Sequence, residues 1–384
     1  MRVGFVLHLA KRDGAGLAFI ELLDALQGRD IEPVVIVPSD GPLIADIKRR
    51  GVEVLVVPYR WWADRGTPWW KRGVRTAWNL LAVAPVCLFL RSRRCEAVVT
   101  NTITVATGAL AAKLLGVPHI WYVHELWGGA TGLRFDIGEA RALRLMDRLS
   151  TVCVAASRTI ATPLAGALRH TEVAVLYQSI TPIGDTGDLA PPAARPDPET
   201  LVCIVTGALH PIKRQDEAVR ALAVLRRQGV TAELWLVGEG DAAYVEELRR
   251  LARTEGVADA TRFLGFCADP APLQRVADVV LSCCPVEGFG RATLEGMLAG
   301  KPVVAARGGG NDELVRPGHN GLTYEAGDPA GLAACLARLA ADPEERRRLG
   351  EEGRRWALTT FARAGYGEGM AGILLASAGR DQGR

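Results

Sequence analysis

Short β-branched runs recur along the chain, each followed by a longer stretch whose apolar residues fall at helical spacing. In the first half the strand-like runs are Val3 to Leu7, Val34 to Val37, Val54 to Val57, Ala97 to Thr100, His119 to Val123 and Thr151 to Ala155. That alternation predicts a parallel sheet with covering helices. From Ser179 to Glu199 both periods stop, and Pro182, Gly184, Gly187, Pro191, Pro192, Pro196 and Pro198 mark the stretch as a linker. The pattern then restarts with Leu201 to Thr206, Glu233 to Val237, Thr261 to Leu264, Val279 to Ser282 and Pro302 to Ala305, separated by helical segments such as Arg214 to Gln228 and Ala242 to Glu255. The expected fold class is α/β with two Rossmann-like domains, over 1–180 and 201–360, joined by a linker at 181–200. Residues 361–384 read as a C-terminal helix, with its return to the first domain left open. Two such domains in series predict a ligand cleft at the carboxyl ends of both sheets.

A chain of 384 residues exceeds what one hydrophobic core usually supports, which agrees with two domains. Hydrophobic residues at 49% and charged residues at 23% are globular proportions, neither disordered nor membrane-embedded. The net charge of +3 is too small for a phosphate-tracking surface, so no nucleic-acid partner is expected. The eight cysteines form no C-x-x-C pair, which favours a reduced, cytoplasmic compartment. The N-terminus lacks the charge order of a signal peptide. The longest apolar run, Leu80 to Leu90, is too short to span a bilayer and contains Pro85, so no transmembrane segment is expected.

Loops carry the candidate chemistry. After the first strand, H-L-A-K-R-D-G-A-G lacks the third glycine of a dinucleotide fingerprint. Gly14 and Gly16 opening a helix could bring backbone amides to an anion, or could form a tight turn only. In V-E-G-F-G-R-A-T-L-E-G-M-L-A, Gly288 and Gly290 flank Phe289 ahead of a helix beginning near Arg291. Glu287 lies in that loop and Glu295 one turn inside the helix, so two carboxylates border one pocket. An ionised carboxylate accepts two short hydrogen bonds from a vicinal diol, as in ribose or a hexose. In T-G-A-L-H-P-I-K-R-Q-D, Lys213 ends a strand-to-helix loop, where an ammonium is a poor helix cap but a good diphosphate partner.

Between Tyr59 and Arg94, Trp61, Trp62, Trp69, Trp70 and Trp78 are interleaved with Arg60, Arg65, Lys71, Arg72 and Arg75. The first reading is one amphipathic helix packed on its own sheet. Peripheral contact of 59–94 with the inner face of a cell membrane and an acceptor-lining wall are the alternatives.

These residues resemble the retaining glycosyltransferases of the large family that includes sucrose synthase, phosphatidylinositol mannosyltransferases and lipopolysaccharide glucosyltransferases, whose double-Rossmann fold is called GT-B. Glu287 and Glu295 look like its E-x7-E pair, within V-E-G-F-G-R-A-T-L-E-G-M-L-A-G-K-P-V-V-A-A-R-G-G-G-N-D-E-L-V; the run from T-N-T-I-T-V to W-Y-V-H-E looks like its N-terminal signature. The resemblance implies a hexosyl or N-acetylhexosaminyl transferase using a nucleotide diphosphate sugar and a hydroxyl acceptor, with no cofactor and no essential metal. It assigns His124, Lys213 and Glu287 to catalysis. Donor contacts fall to Gly14, Gly207, Lys213, Arg214, Gly288, Phe289, Gly290, Arg291 and Glu295. Within these, Glu287 would meet sugar hydroxyls, Glu295 the ribose, Lys213 the diphosphate and His124 the sugar. The chain departs from the family where G-R-L is replaced by Gly207, Ala208 and Leu209; Arg214 or Arg291 would then replace the missing diphosphate arginine. Asp13 and Gly16 likewise replace the first glycine and the glutamate of the family's G-G-A-E loop. A nucleotide-sugar 2-epimerase of the same architecture and a non-catalytic sugar-nucleotide binder are the competing readings.

Overall fold

The computed structural model describes residues 1–64, 66, 68–129, 131–180, 197 and 199–381. The chain divides into two compact units, one of Met1–Ser179 with Phe361–Arg384, the other of Ile180–Thr360. The expected linker falls outside the described residues at 181–196 and 198.

In the first unit the strands are β1 (Arg2–Val6), β2 (Glu32–Val37), β3 (Glu53–Val56), β4 (Ala63–Asp64), β5 (Ala97–Thr100), β6 (His119–Val123), β7 (Arg134–Phe135), β8 (Val152–Ala155) and β9 (Glu172–Val175). Seven of them form one sheet in the order β3-β2-β1-β5-β6-β8-β9, and β4 pairs with β7 separately. Crossover helices join successive strands, so every pair in the large sheet is parallel. β5, β6 and β8 are buried at every position because helices cover both faces. Strand order reverses between β1 and β5, which opens a crevice at their carboxyl ends.

The helix Arg363–Asp381 also belongs to this unit. Tyr366, Met370 and Leu374, one turn apart, are buried. The helix packs on Gly14–Leu26: Arg29 Nη2 donates to Ala364 O at 3.1 Å, and Tyr122 Oη donates to Tyr366 Oη at 3.1 Å.

The second unit carries β10 (Leu201–Thr206), β11 (Ala232–Val237), β12 (Thr261–Gly265), β13 (Val279–Ser282), β14 (Val303–Ala306) and β15 (Leu322–Tyr324). They form one parallel sheet in the order β12-β11-β10-β13-β14-β15, whose reversal falls between β10 and β13. Strands β4, β7, β9 and β15 escaped the sequence reading. β9 and β15 are edge strands and β4 and β7 have two residues each, so none carries the long apolar run that betrays a central strand.

Candidate functional site

Three loops of the second unit meet at the carboxyl end of its sheet: those after β10, β13 and β14. The β10 loop is pinned from behind. Leu209 N donates to Glu239 O at 2.8 Å, and the buried Gln215 donates from Nε2 to Ala208 O at 2.9 Å. A 3-10 turn over Pro211–Lys213, capped by the His210 ring accepting from Ile212 N at 3.2 Å, then presents Lys213. Its Nζ donates to Glu287 Oε1 at 2.5 Å, so the ammonium of one loop and the carboxylate of the next join across the β10/β13 reversal.

Glu287 is held by what lies beneath it. Gly310 N donates to Glu287 O at 2.8 Å, and a Cβ on Gly309, whose φ is +61°, would stand 2.5 Å from that same oxygen. Any side chain there would lift the loop. Asn311, fully buried, ties the β13 and β14 loops together. Its Nδ2 donates to Cys284 O at 3.0 Å and Ala306 O at 3.1 Å, while Oδ1 accepts from Ser282 Oγ at 3.2 Å and Thr293 Oγ1 at 2.9 Å. Asn311 was quoted within the family signature but not singled out as a site residue; only the fold shows that one side chain serves both loops.

Past Phe289, Gly290 at φ +95° turns the chain into the helix Arg291–Leu298, with no side-chain cap and no acidic residue in its first turn. A helix start of this kind favours an anion. Arg291 Nε pairs with Glu295 Oε1 at 2.8 Å, four residues on along the same face. The structure thus brings Lys213 to Glu287 and Arg291 to Glu295. Gly288 lies in the same loop, and Gly207 at φ +124° turns the chain out of β10.

Arg214 is joined to its own helix. In a left-handed backbone conformation at φ +54°, its Nε pairs with the buried Glu217 at 2.5 Å, and Glu217 also accepts from Tyr324 Oη and Gly327 N at 2.9 Å each. Burial raises the Glu217 pKa, and the guanidinium compensates a carboxylate that would otherwise be costly to bury. Arg214 is thereby tied through Nε to the scaffold.

Gly14 and His124 belong to the first unit. Asp13 caps the helix Gly14–Leu26: its Oδ1 accepts from Gly16 N at 2.8 Å and its Oδ2 pairs with His8 Nε2 at 3.2 Å. The Asp13 carboxylate thus takes the Gly16 amide and sits at that helix start. Burial would lower the His8 pKa, but the hydrogen bond and charge of Asp13, with the charge of Glu125, outweigh it and hold His8 above its ordinary value.

His124, just past β6, uses both ring nitrogens. Nδ1 accepts from Gln178 Nε2 at 2.8 Å, which leaves Nε2–H to donate to Asn101 Oδ1 at 2.9 Å. Desolvation, helped by His8, pushes its pKa down to about 3. So held, the imidazole is neutral, and both of its ring nitrogens are engaged by protein partners. His8, Asn101, Glu125 and Gln178 were not singled out from sequence because they follow separate strands. Desolvation likewise pushes His119, deep in the sheet, to about 3. Unfolded, both histidines titrate near the ordinary value of about 6.5, so the unfolded state binds more protons below it and stability falls as pH drops through that window. Nitrogen-15 NMR is expected to find both rings neutral at about pH 5; midpoints at the ordinary value would contradict these environments.

Two Rossmann-like units, each with a parallel sheet whose strand order reverses once, define the GT-B class of fold. Residues 190–356 match the family described as "Glycosyl transferases group 1", and residues 12–182 match "Glycosyltransferase Family 4". Both halves of the chain thus match glycosyltransferase families, which supports a group 1, family-4-like glycosyltransferase. It is 35% identical over 187 residues to a GDP-mannose-dependent alpha-(1-6)-phosphatidylinositol monomannoside mannosyltransferase of Mycolicibacterium smegmatis, covering 46% of this chain and 48% of the relative. It is 36% identical over 141 residues to the lipopolysaccharide core biosynthesis glycosyltransferase LpsE of Rhizobium meliloti, covering 37% and 40%. The chain thus spans about half or less of the length of these relatives. Among solved structures, Anabaena Alr3699/HepE in complex with UDP has a TM-score of 0.78 at 24% identity, covering 98% of this chain and 100% of the other. WaaG, a glycosyltransferase involved in lipopolysaccharide biosynthesis, has a TM-score of 0.68 at 17% identity, covering 97% and 99%.

Proposed function

We propose that the chain transfers a hexosyl or N-acetylhexosaminyl group from a nucleotide diphosphate sugar to a hydroxyl acceptor, with retention of anomeric configuration and no essential metal. The observation that carries this reading is the Lys213–Glu287 pair beside the uncapped helix Arg291–Leu298. As the anomeric C–O bond breaks, its electron pair passes to the diphosphate, and Lys213 with the helix amides stabilises that charge. Glu287 accepts hydrogen bonds from sugar hydroxyls. The acceptor oxygen bonds to the anomeric carbon on the face the diphosphate leaves, and its proton passes to the departing phosphate oxygen. Without donor, the lysine and glutamate compensate each other's charge. Uridine and guanosine diphosphate sugars are the first donors to try, because HepE is described in complex with UDP-glucose and the mycobacterial relative as GDP-mannose-dependent. The unpaired cysteines among the described residues agree with a cytoplasmic enzyme.

Nucleotide release tests the reading. A transferase releases nucleotide on addition of acceptor, an epimerase isomerises the sugar without release, and a binder does neither; either of the latter results would replace the proposal. Glu295→Ala is expected to raise the donor KM roughly tenfold by removing the ribose acceptor, with little change in kcat. An unchanged KM would remove Glu295 from the donor site.

A further inference from the structure

The helix Trp69–Ser92 breaks the rule that a surface helix turns its apolar side inward. Its inner face buries Asn79, Ala82, Val83, Val86 and Leu90 against the first unit. Its outer face is apolar as well. Trp70, Val74, Leu81 and Leu88 are each at least 60% exposed, and with exposed Ala77 and Ala84 they recur at steps of three and four, forming one stripe. Exposed Leu80 and Leu114 widen the stripe toward the neighbouring helix Thr107–Leu115, and a groove of about 540 Å³ between the two helices continues it. The amphipathic helix expected from sequence is therefore corrected: it is apolar on both sides. Trp61 and Trp62 lie outside it, Trp62 stacked on Trp121 in the core and Trp61 donating to His8 O at 3.0 Å.

Cations dominate the exposed charge around the stripe. Between Asp64 and Glu96 the sequence has no acidic residue. Arg75 is paired with both Asp64 and Asp136, whose side chains are largely buried, and Arg93 with Glu53. Lys71, Arg91, Arg94 and Lys113 are exposed, and Lys71 Nζ lies 4.9 Å from the ring centre of Trp70. Apolar surface rimmed by cations and tryptophan fits the boundary between lipid headgroups and acyl chains.

We propose that this face docks on an anionic phospholipid bilayer, with the helix lying in the plane of the interface. Trp70–Ser92 is long and apolar enough to cross a membrane. Its inner face argues against crossing: Asn79 accepts from Arg60 N at 2.7 Å, and Trp78 Nε1 donates to Pro58 O at 2.6 Å, bonds that insertion would break. A second copy of the chain on this face would bring two basic rims together. The inference is independent of the transfer reaction.

The test is sedimentation of the full chain with phosphatidylcholine vesicles, with and without phosphatidylglycerol, for the native sequence and for Leu81→Glu combined with Leu88→Glu. Expected are binding to phosphatidylglycerol vesicles, release by salt and by alkaline carbonate, and a loss of roughly tenfold or more in partitioning for the variant at unchanged melting temperature. Absence of binding, equal partitioning of the folded variant, or retention through carbonate would overturn the proposal. So would a native dimer that the same substitutions dissociate. Should the glutamate variant not fold, Lys71→Gln with Arg91→Gln and Lys113→Gln replaces it, and undiminished binding of that variant would overturn the proposal equally.

Discussion

Lys213→Ala is expected to lower the turnover of glycosyl transfer by roughly 10²–10³-fold at saturating donor while leaving the fold intact. The ammonium stabilises charge that grows on the leaving diphosphate, so its removal acts on the transition state more than on the bound donor. The same residue contributes little to stability. Its pair with Glu287 is partly open to solvent, with the lysine side chain 34% exposed, and such pairs contribute at most about 1 kcal/mol. Steady-state nucleotide release together with a melting curve separates the two effects. An unchanged kcat, or a kcat loss matched by unfolding, would contradict the role assigned to Lys213.

Asn311→Ala is expected to act in the opposite way, on the scaffold first. Its four hydrogen bonds join the carbonyls of Cys284 and Ala306 to the hydroxyls of Ser282 and Thr293 in a fully buried position. Removing the amide strands those partners where no solvent reaches, at a cost of about 2–4 kcal/mol. For a unit of this size that corresponds to a melting decrease of roughly 5–15 °C. Donor affinity should fall with it, because the loop bearing Glu287 loses its tie to the β14 loop. A melting temperature within about a degree of the native value would show that the network is not what fixes the loop.

The central strands, the two-unit division and the loop carrying Glu287 and Glu295 were legible in the sequence because each rests on local pattern: apolar runs of period two or fewer breaks, glycines at turns, and a fixed spacing between two carboxylates. What escaped depends on residues far apart in sequence. Glu217 holds Arg214 while Tyr324 and Gly327, from the edge strand β15 and the loop after it, donate to the same carboxylate. His124 is held by Asn101 and Gln178, which arrive from β5 and β9. The helix Trp69–Ser92 reads in sequence as an ordinary covering helix, since a pattern apolar on every side does not reveal which side the fold leaves uncovered.

The most direct measurement is a crystal structure of the chain with a nucleotide diphosphate sugar that supports turnover. The expected density has the diphosphate within hydrogen-bonding reach of Lys213 Nζ and the amides that open the helix Arg291–Leu298, with Glu287 turned from the lysine toward the sugar hydroxyls. A diphosphate held elsewhere, with the Lys213–Glu287 pair undisturbed, would contradict it.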